Sequence, residues 1–111
     1  MAETSSVETS SVETIQETAK TVIRPQTDVV ASSAPAIRAQ MREAVAQGAR
    51  NVEVDLALVR MVDSVGIGLL IAAHNSLHKL GGRLAVVHAS PDVLELFHMM
   101  NIHQHFSVSG N

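Results

Sequence analysis

The sequence predicts an α/β domain in which helices pack on a small sheet. Three segments have the residue pattern of strands, and segments with the apolar spacing of helices lie between and after them. Strands that alternate with helices of about 10 to 15 residues are typical of layered α/β structure. With 111 residues, the chain has room for one such domain.

The composition indicates an aliphatic core and excludes several classes of function. Phe97 and Phe106 are the only aromatic residues among Phe, Tyr and Trp. The eight lysines and arginines are scattered and the net charge is −3, so we expect no nucleic-acid surface. Cysteine is absent, and the longest apolar run, 67–73, is far shorter than the roughly 20 residues of a membrane span. We therefore expect a cytoplasmic protein that does not bind membranes.

The first 14 residues have the composition of a low-complexity tail. The motif Glu-Thr-Ser-Ser-Val is repeated there, and a period of five fits neither a helix nor a strand. We expect residues 1–14 to be disordered and the domain to span 15–111. The alternative is that 14–16 and 21–24 pair as a short hairpin, because Thr, Ile and Val favour strands.

The first predicted elements are a strand and a helix. Residues 21–24 form the strand, which ends at Pro25 because proline cannot donate to a strand ladder. The helix follows a short loop and has Ser32 or Ser33 as its N-cap. Gly48 ends this helix after about four turns.

The remaining elements continue the alternation. Residues 51–59 begin with alternating apolar and polar side chains and then become wholly apolar, which favours a strand in the middle of the sheet. Residues 66–80 form a helix that two glycines end. Residues 83–89 are the third strand, and 90–100 begin with the Ser-Pro signature of a helix start. Residues 105–108 are a candidate for a last short strand.

A serine lies between a predicted strand and a predicted helix, in the segment "MVDSVGIGLL" at 61–70. Ser64 can be the N-cap of that helix, because its oxygen can accept from the free amides of the first turn. However, Gly66 and Gly68 each weaken a helix by roughly 1 kcal/mol relative to alanine. Their positions favour close approach of another macromolecule, or a phosphate at the helix N-terminus. Both interpretations stay open from the residues alone.

A serine at such a turn can also be a hydrolase nucleophile. The nucleophile elbow reads Gly-x-Ser-x-Gly, and Val62 stands in place of its first glycine. An oriented histidine base and an oxyanion hole would also be needed, and the short chain has no candidate loop for the hole. We therefore expect no enzyme activity, and a small hydrolase that uses Ser64 is the outside alternative.

The histidines raise the question of a metal site. His74 and His78 have the i, i+4 spacing of zinc proteases, but Asn75 stands where the catalytic glutamate would be. The sequence has no cysteine and no obvious carboxylate as a third ligand. We predict neither a metal site nor a cofactor.

A series of residues keeps the order and spacing of a known family. The series is Asp63, Ser64, Gly66, Gly68, Gly81, Gly82, Ser90, Pro91 and Phe97. From about residue 21 to residue 108, the chain resembles a STAS domain of the bacterial anti-sigma factor antagonist family, whose signature is Asp-Ser-Ser/Thr-Gly between a strand and a helix. Val65 departs from that signature, since it replaces the second hydroxyl residue. The C-terminal helix typical of free-standing members is also expected to be absent.

The resemblance implies a STAS fold, in which helices pack on one face of a small mixed sheet, and a regulatory protein that catalyses nothing. Family members bind an anti-sigma factor that is also a GHKL-type serine kinase, and they thereby free the sigma factor. The kinase inactivates them by phosphorylating the serine after the motif aspartate, here Ser64, and a PP2C-type phosphatase reverses the step. The partner-binding residues expected from the resemblance are Asp28, Asp63, Ser64, Val65, Gly66, Ile67, Gly68 and Leu69.

An alternative function exists within the same fold. The chain would then be a non-switching STAS subunit of a larger assembly, such as a lipid-asymmetry ABC transporter or a stress-sensing complex. Without a C-terminal helix, one face or edge of the sheet is less covered. A homo-oligomer or a partner would cover it.

Overall fold

The computed structural model of the chain describes residues 12–17 and 20–110. These residues form a five-stranded sheet with α-helices between and after the strands. The elements are β1 (Val12–Glu17), β2 (Lys20–Pro25), α1 (Ala34–Ala46), β3 (Asn51–Asp55), α2 (Ser64–Lys79), β4 (Arg83–Ala89), α3 (Pro91–Met99) and β5 (Ser107–Gly110). A short 3₁₀ turn, Ile102–Gln104, precedes β5.

The strands lie in the sheet in the order in which they occur along the chain. β1 is antiparallel to β2, and each later pair of neighbours is parallel, so the predicted mixed sheet is confirmed. Because β-α-β crossovers are nearly always right-handed, connections that all advance in one direction place the helices on the same face. Accordingly, α1 contacts β1 and β2, α2 contacts β4, and α3 contacts β4 and β5.

β1 changes the predicted start of the folded region. Residues 12–14, which we expected in the disordered tail, belong to this strand, and the side chain of Val12 is buried. The hairpin that the sequence offered only as an alternative is present, with Thr14 opposite Ile23. The Thr14 hydroxyl donates to Oε1 of Gln40 on α1 (2.8 Å). The prediction of disorder for residues 1–11 lies outside the described residues.

The core lies between the helices and the sheet. Ile23, Val54 and Val86 are neighbours across β2, β3 and β4, and all three side chains are fully buried. Burial of each such side chain contributes roughly 1.5–3 kcal/mol relative to exposure. Phe97 and Phe106 are buried with them, and the other buried apolar side chains are aliphatic, as the composition predicted.

The ends of the helices agree in part with the predicted signals. Ser33 is the N-cap of α1, but its hydroxyl donates to the Asp28 carbonyl (2.6 Å) instead of capping the helix. Ser90 caps α3 as predicted, because its hydroxyl accepts from the Val93 N–H (3.2 Å). Gly48 follows α1 with φ 103°, a left-handed angle that glycine adopts without strain.

The region between β3 and α2 differs from the predicted one. β3 ends at Asp55, so the last four residues of the predicted strand 51–59 belong to a loop, 56–63. α2 begins at Ser64, two residues before the predicted start. Among the described residues, none of the helices combines the length and hydrophobicity that a membrane span requires.

Candidate functional site

The candidate site lies at the carboxyl ends of the parallel strands. The loop after β2 (26–33) and the loop after β3 (56–63) lie side by side there, because Val29 forms a parallel bridge with Val62. The N–H of Asp63 donates to the Val29 carbonyl (3.2 Å) and extends this contact. In open α/β sheets, this edge is where ligands bind most often.

Asp28, a predicted partner-binding residue, holds the second loop in place. Its Oδ1 accepts from the N–H groups of Arg60 (2.9 Å) and Met61 (3.1 Å). The residue is half-buried. Asp28 therefore fixes the shape of the site through backbone contacts.

Asp63 is the N-cap of α2 and ties the helix to the first loop. Its Oδ1 accepts from the Gly66 N–H (2.9 Å), and its Oδ2 accepts from the Ala31 N–H (3.0 Å). The bond from Gly66 lowers the pKa of the Asp63 carboxyl most, and the bond from Ala31 lowers it further. A carboxylate at the N-terminus of a helix is also stabilised by the helix dipole.

Ser64 is the first residue of α2 and is exposed. The interpretation of Ser64 as the helix N-cap is wrong, because the carboxylate of Asp63 occupies that position. Within the part of the chain that the structure describes, the Ser64 hydroxyl has no hydrogen-bond partner. The hydroxyl is therefore accessible and serves no structural contact there.

The two glycines of the motif have different environments. Gly66 is buried, and a Cβ added to it would overlap the carbonyl oxygen of Val29. The bare backbone at Gly66 therefore serves packing inside the domain, which corrects the interpretation that it serves the approach of a partner. Gly68 is exposed, and a Cβ added there would meet no atom within 4 Å.

Only part of the predicted partner-binding segment is at the surface. Ser64, Val65 and Gly68 are exposed, whereas Ile67 and Leu69 are buried in the core. A partner at this end of α2 would therefore contact Ser64, Val65 and Gly68. Of the remaining predicted residues, Gly66 is buried, and Asp28 and Asp63 are half-buried.

Two exposed apolar side chains were missed by the sequence analysis. Leu58 is 51% exposed and Met61 is 54% exposed, and both lie in the loop before α2. Val65, 43% exposed, follows in the first turn. We call these three residues the apolar loop surface. Leu58 was missed because it fell within the predicted strand 51–59, where an apolar residue suggests burial.

An ionic network on the sheet was also missed. Asp55 is only 5% exposed, and its Oδ2 accepts from Nε of Arg24 (3.1 Å). Its Oδ1 lies 3.0 Å from Nδ1 of His88 and accepts from the Ala57 N–H (2.9 Å). Arg24 also pairs with Glu13 (3.0 Å). A buried carboxylate needs such partners, because an unpaired buried charge is costly.

The network anchors the start of the loop that carries the apolar loop surface. Burial raises the pKa of the Asp55 carboxyl, but the hydrogen bonds from the Ala57 N–H, His88 and Arg24 together lower it. His88 has φ 59°, a left-handed angle, near an irregularity in the pairing of β4 with β5. In the sequence, this network was indicated only by a charged residue, Asp55, at the end of a central strand.

The histidines on α2 lie close together. The ring centroids of His74 and His78 are 5.8 Å apart, and the His74 ring also contacts Phe106 (5.6 Å). Burial lowers the pKa of His74, and the nearby His78 and His105 lower it further. Over residues 12–17 and 20–110, no group of three or more metal-ligating side chains is arranged to hold an ion.

Comparison with known families gives one match over most of the chain. The model of the family described as "Mlab, STAS domain" matches residues 12–108. No curated protein sequence matches the chain.

Solved structures with this fold include several proteins described as anti-sigma factor antagonists. One from Mycobacterium paratuberculosis has a TM-score of 0.80 at 22% identity, covering 90% of this chain and 85% of its own. A STAS domain protein from Planctomyces limnophilus has a TM-score of 0.78 at 20% identity, covering 90% of each chain. The Bacillus cell fate determinant SpoIIAA, in its phosphorylated form, has a TM-score of 0.68 at 21% identity, covering 87% of this chain and 89% of its own.

Proposed function

Because the chain belongs to the STAS domain family, we propose that it is an anti-sigma factor antagonist that phosphorylation of Ser64 switches off. The unphosphorylated protein binds an anti-sigma factor that is also a GHKL-type serine kinase, and so releases a sigma factor in the cytoplasm. The kinase phosphorylates Ser64, and a PP2C-type phosphatase restores the binding form. The domain itself catalyses nothing.

The observation that supports this proposal most is the environment of Ser64. Its hydroxyl is exposed on the first turn of α2 and free of hydrogen bonds to the described residues, because Asp63 caps the helix instead. A kinase can therefore reach the oxygen without unfolding the helix start. The comparison with SpoIIAA, which is described in a phosphorylated form, adds support for modification in this family.

The neighbouring surface supports a binding role. The apolar loop surface (Leu58, Met61 and Val65) exposes three large apolar side chains around Ser64 in sequence. All three fall within residues 58–65, and exposed apolar side chains that form a patch are typical of protein-binding sites. Asp28 and Asp63 hold this loop and the helix start in a fixed shape through their bonds to backbone N–H groups, so a partner would meet a preorganised surface.

Phosphorylation would change the charge of this surface without changing the fold. A phosphoserine adds about −1.5 to −2 charges at neutral pH. Asp63 already places a carboxylate at the helix N-terminus, where it accepts from the Gly66 N–H. The phosphate would therefore lie beside the negative charge of Asp63, which already accepts from the helix N-terminus, and it would face the partner. A loss of about 3 kcal/mol would weaken binding roughly 150-fold, which is enough for a switch.

A second function is favoured by the description of the matching family. That description, "Mlab, STAS domain", does not mention sigma factors. The chain would then be a non-switching STAS subunit of a larger assembly, such as a lipid-asymmetry ABC transporter or a stress-sensing complex. Val65 in place of the usual second hydroxyl residue agrees with this alternative. Both functions would use the same exposed surface.

The two functions differ in the fate of Ser64. The purified protein and its Ser64→Ala variant are incubated with ATP and a GHKL-type anti-sigma factor kinase that binds the unmodified protein, and phosphate is located by mass spectrometry. Binding to the kinase is measured before and after. The proposal expects phosphate on Ser64 and at least tenfold weaker binding afterwards, with neither change in Ser64→Ala. Phosphate only at other residues, or unchanged affinity of phospho-Ser64 protein, would support the non-switching subunit.

A further inference from the structure

A groove of about 360 Å³ lies between α1 and α2, on the helix side of the domain. Its size is at the lower end of the range of small-molecule pockets, roughly 300–1,000 Å³. The apolar side chains along it include Met41, Val45, Leu69, Ala72, Ala73 and Leu77. None of the residues of the apolar loop surface lines it.

The lining of the groove combines small side chains of α2, Ala72 and Ala73, with larger apolar ones. Met41, Leu69 and Leu77 are almost fully buried and form its floor. Ala72 is exposed and lies on the neighbouring turn of α2, where its methyl group leaves space unfilled. Such a lining offers water few hydrogen bonds, so displacement of water by an alkyl chain is favourable.

Two arginines give the groove a positive charge. Arg38 and Arg42 line it and are four residues apart, so they lie on the same side of α1. Among residues 12–17 and 20–110, neither arginine forms an ion pair or a hydrogen bond through its side chain. Arg24, by contrast, is held between Glu13 and Asp55. Like charges at this spacing repel each other, and an anion between them would remove that cost.

We infer that this groove binds an amphiphile with one alkyl chain and an anionic head group, such as a fatty acid. The chain would lie over Ala72 and Leu77, and the carboxylate would lie between Arg38 and Arg42. The positive charge of Arg38 and Arg42 beside an apolar lining favours this occupant over a partner helix that presents an uncharged apolar face. The inference does not depend on the proposed function.

The test uses the full chain and a fluorescent fatty acid, cis-parinaric acid, whose emission rises in an apolar site. Unlabelled dodecanoate and dodecanol are then used as competitors. We expect saturable binding of the probe and displacement by dodecanoate at concentrations at least tenfold lower than by dodecanol. If dodecanoate and dodecanol displace the probe equally well, this result by itself would overturn the role of the arginines.

Variants locate the site. The double variant Arg38→Gln, Arg42→Gln should bind the probe at least tenfold more weakly, and Ala72→Leu should reduce binding by a similar factor because it fills the groove. Arg83→Gln is the matched control, since Arg83 is exposed and does not line this groove. Circular dichroism verifies that each variant is folded. Absence of probe binding, or binding that all these variants retain, would overturn the inference.

Discussion

The carbonyl group of Val29 lies directly against the backbone of Gly66. A Cβ at position 66 would overlap the carbonyl oxygen and would lie 2.9 Å from Cγ1 of Val29. The two residues belong to different segments, the loop after β2 and the first turn of α2. Their contact lets the first turn of α2 pack against the loop after β2, and so it helps to set the positions of Asp63 and Ser64.

This contact predicts opposite effects of alanine at the two motif glycines. Gly66→Ala should lower the free energy of unfolding by about 1–3 kcal/mol, because the added methyl group forces the Val29 backbone to move. Gly68→Ala, in open space on the same helix, should leave stability unchanged or raise it by up to about 1 kcal/mol. Denaturant unfolding of both variants measures the difference. Equal changes in the free energy of unfolding would show that the loop after β2 moves to accommodate the methyl group at position 66 without loss of stability.

Local patterns predicted most of the fold. The strand that ends at Pro25, the alternation along β3, the Ser90-Pro91 start of α3 and the glycine after α1 all depend on neighbouring residues, and the structure has each of them. β1 was the weaker of two predictions, because the five-residue repeat at residues 3–12 fits neither a helical nor a strand period and includes Val12, the first residue of the strand.

Long-range contacts were beyond such patterns. Nothing in the sequence near Gly66 indicates that Val29 would pack on it, and nothing near Asp55 indicates Arg24 or His88 as its partners. The choice between Asp63 and Ser64 as N-cap depends on where the chain enters the helix, and both residue types are good caps. Sequence reasoning therefore proposed the candidate site but not the contacts of each residue in it.

Asp28 should matter for stability through the loop that it holds. Asp28→Ala removes the acceptor of the Arg60 and Met61 N–H groups and should cost about 1–3 kcal/mol. Asp28→Asn keeps a side-chain oxygen at the same place and should cost clearly less. Chemical denaturation of the two variants compares them. If both lose the same amount, the negative charge and not the hydrogen bonds would explain the role of Asp28.

His74 should make the fold less stable in mild acid. Burial lowers its pKa in the folded state, with a further effect of His78 and His105, so the unfolded chain binds a proton that the folded one does not. Stability is therefore lost as the pH falls through the ordinary value near 6.5 and on through the lowered folded pKa. Hydrogen bonds lower the pKa of the Asp55 and Asp63 carboxyls from their ordinary range, so both stay charged over this pH range.

The matching measurement is the melting temperature from about pH 7 to about pH 5. His74→Phe keeps a ring against Phe106 but cannot titrate, and it should lose less stability over this range than the unmodified protein. His98→Gln is the control, since His98 is exposed. Parallel pH profiles for His74→Phe and the unmodified protein would assign the acid sensitivity to other groups.

The apolar loop surface should be needed for binding and not for folding. Leu58→Ser together with Met61→Ser should change the free energy of unfolding by less than about 0.5 kcal/mol, because both side chains are largely exposed. Binding to the kinase should weaken at least tenfold, as expected when anchor residues are removed. Met99→Ser, at a position 73% exposed on α3, is the control. Unchanged affinity in the double variant would place the binding surface elsewhere.

Ser64→Ala should leave the stability of the domain within about 0.5 kcal/mol of its original value, because the hydroxyl makes no hydrogen bond to the described residues. Asp63→Ala, one residue earlier, should cost about 0.5–2 kcal/mol, since it removes the N-cap of α2 and the tie to Ala31. Thermal and denaturant unfolding of both variants measure this contrast. A loss of about 1 kcal/mol from Ser64→Ala would mean that the hydroxyl caps the helix in solution. With stability unchanged, any effect of Ser64→Ala on release from the kinase would come from the missing phosphate acceptor and not from a weakened helix.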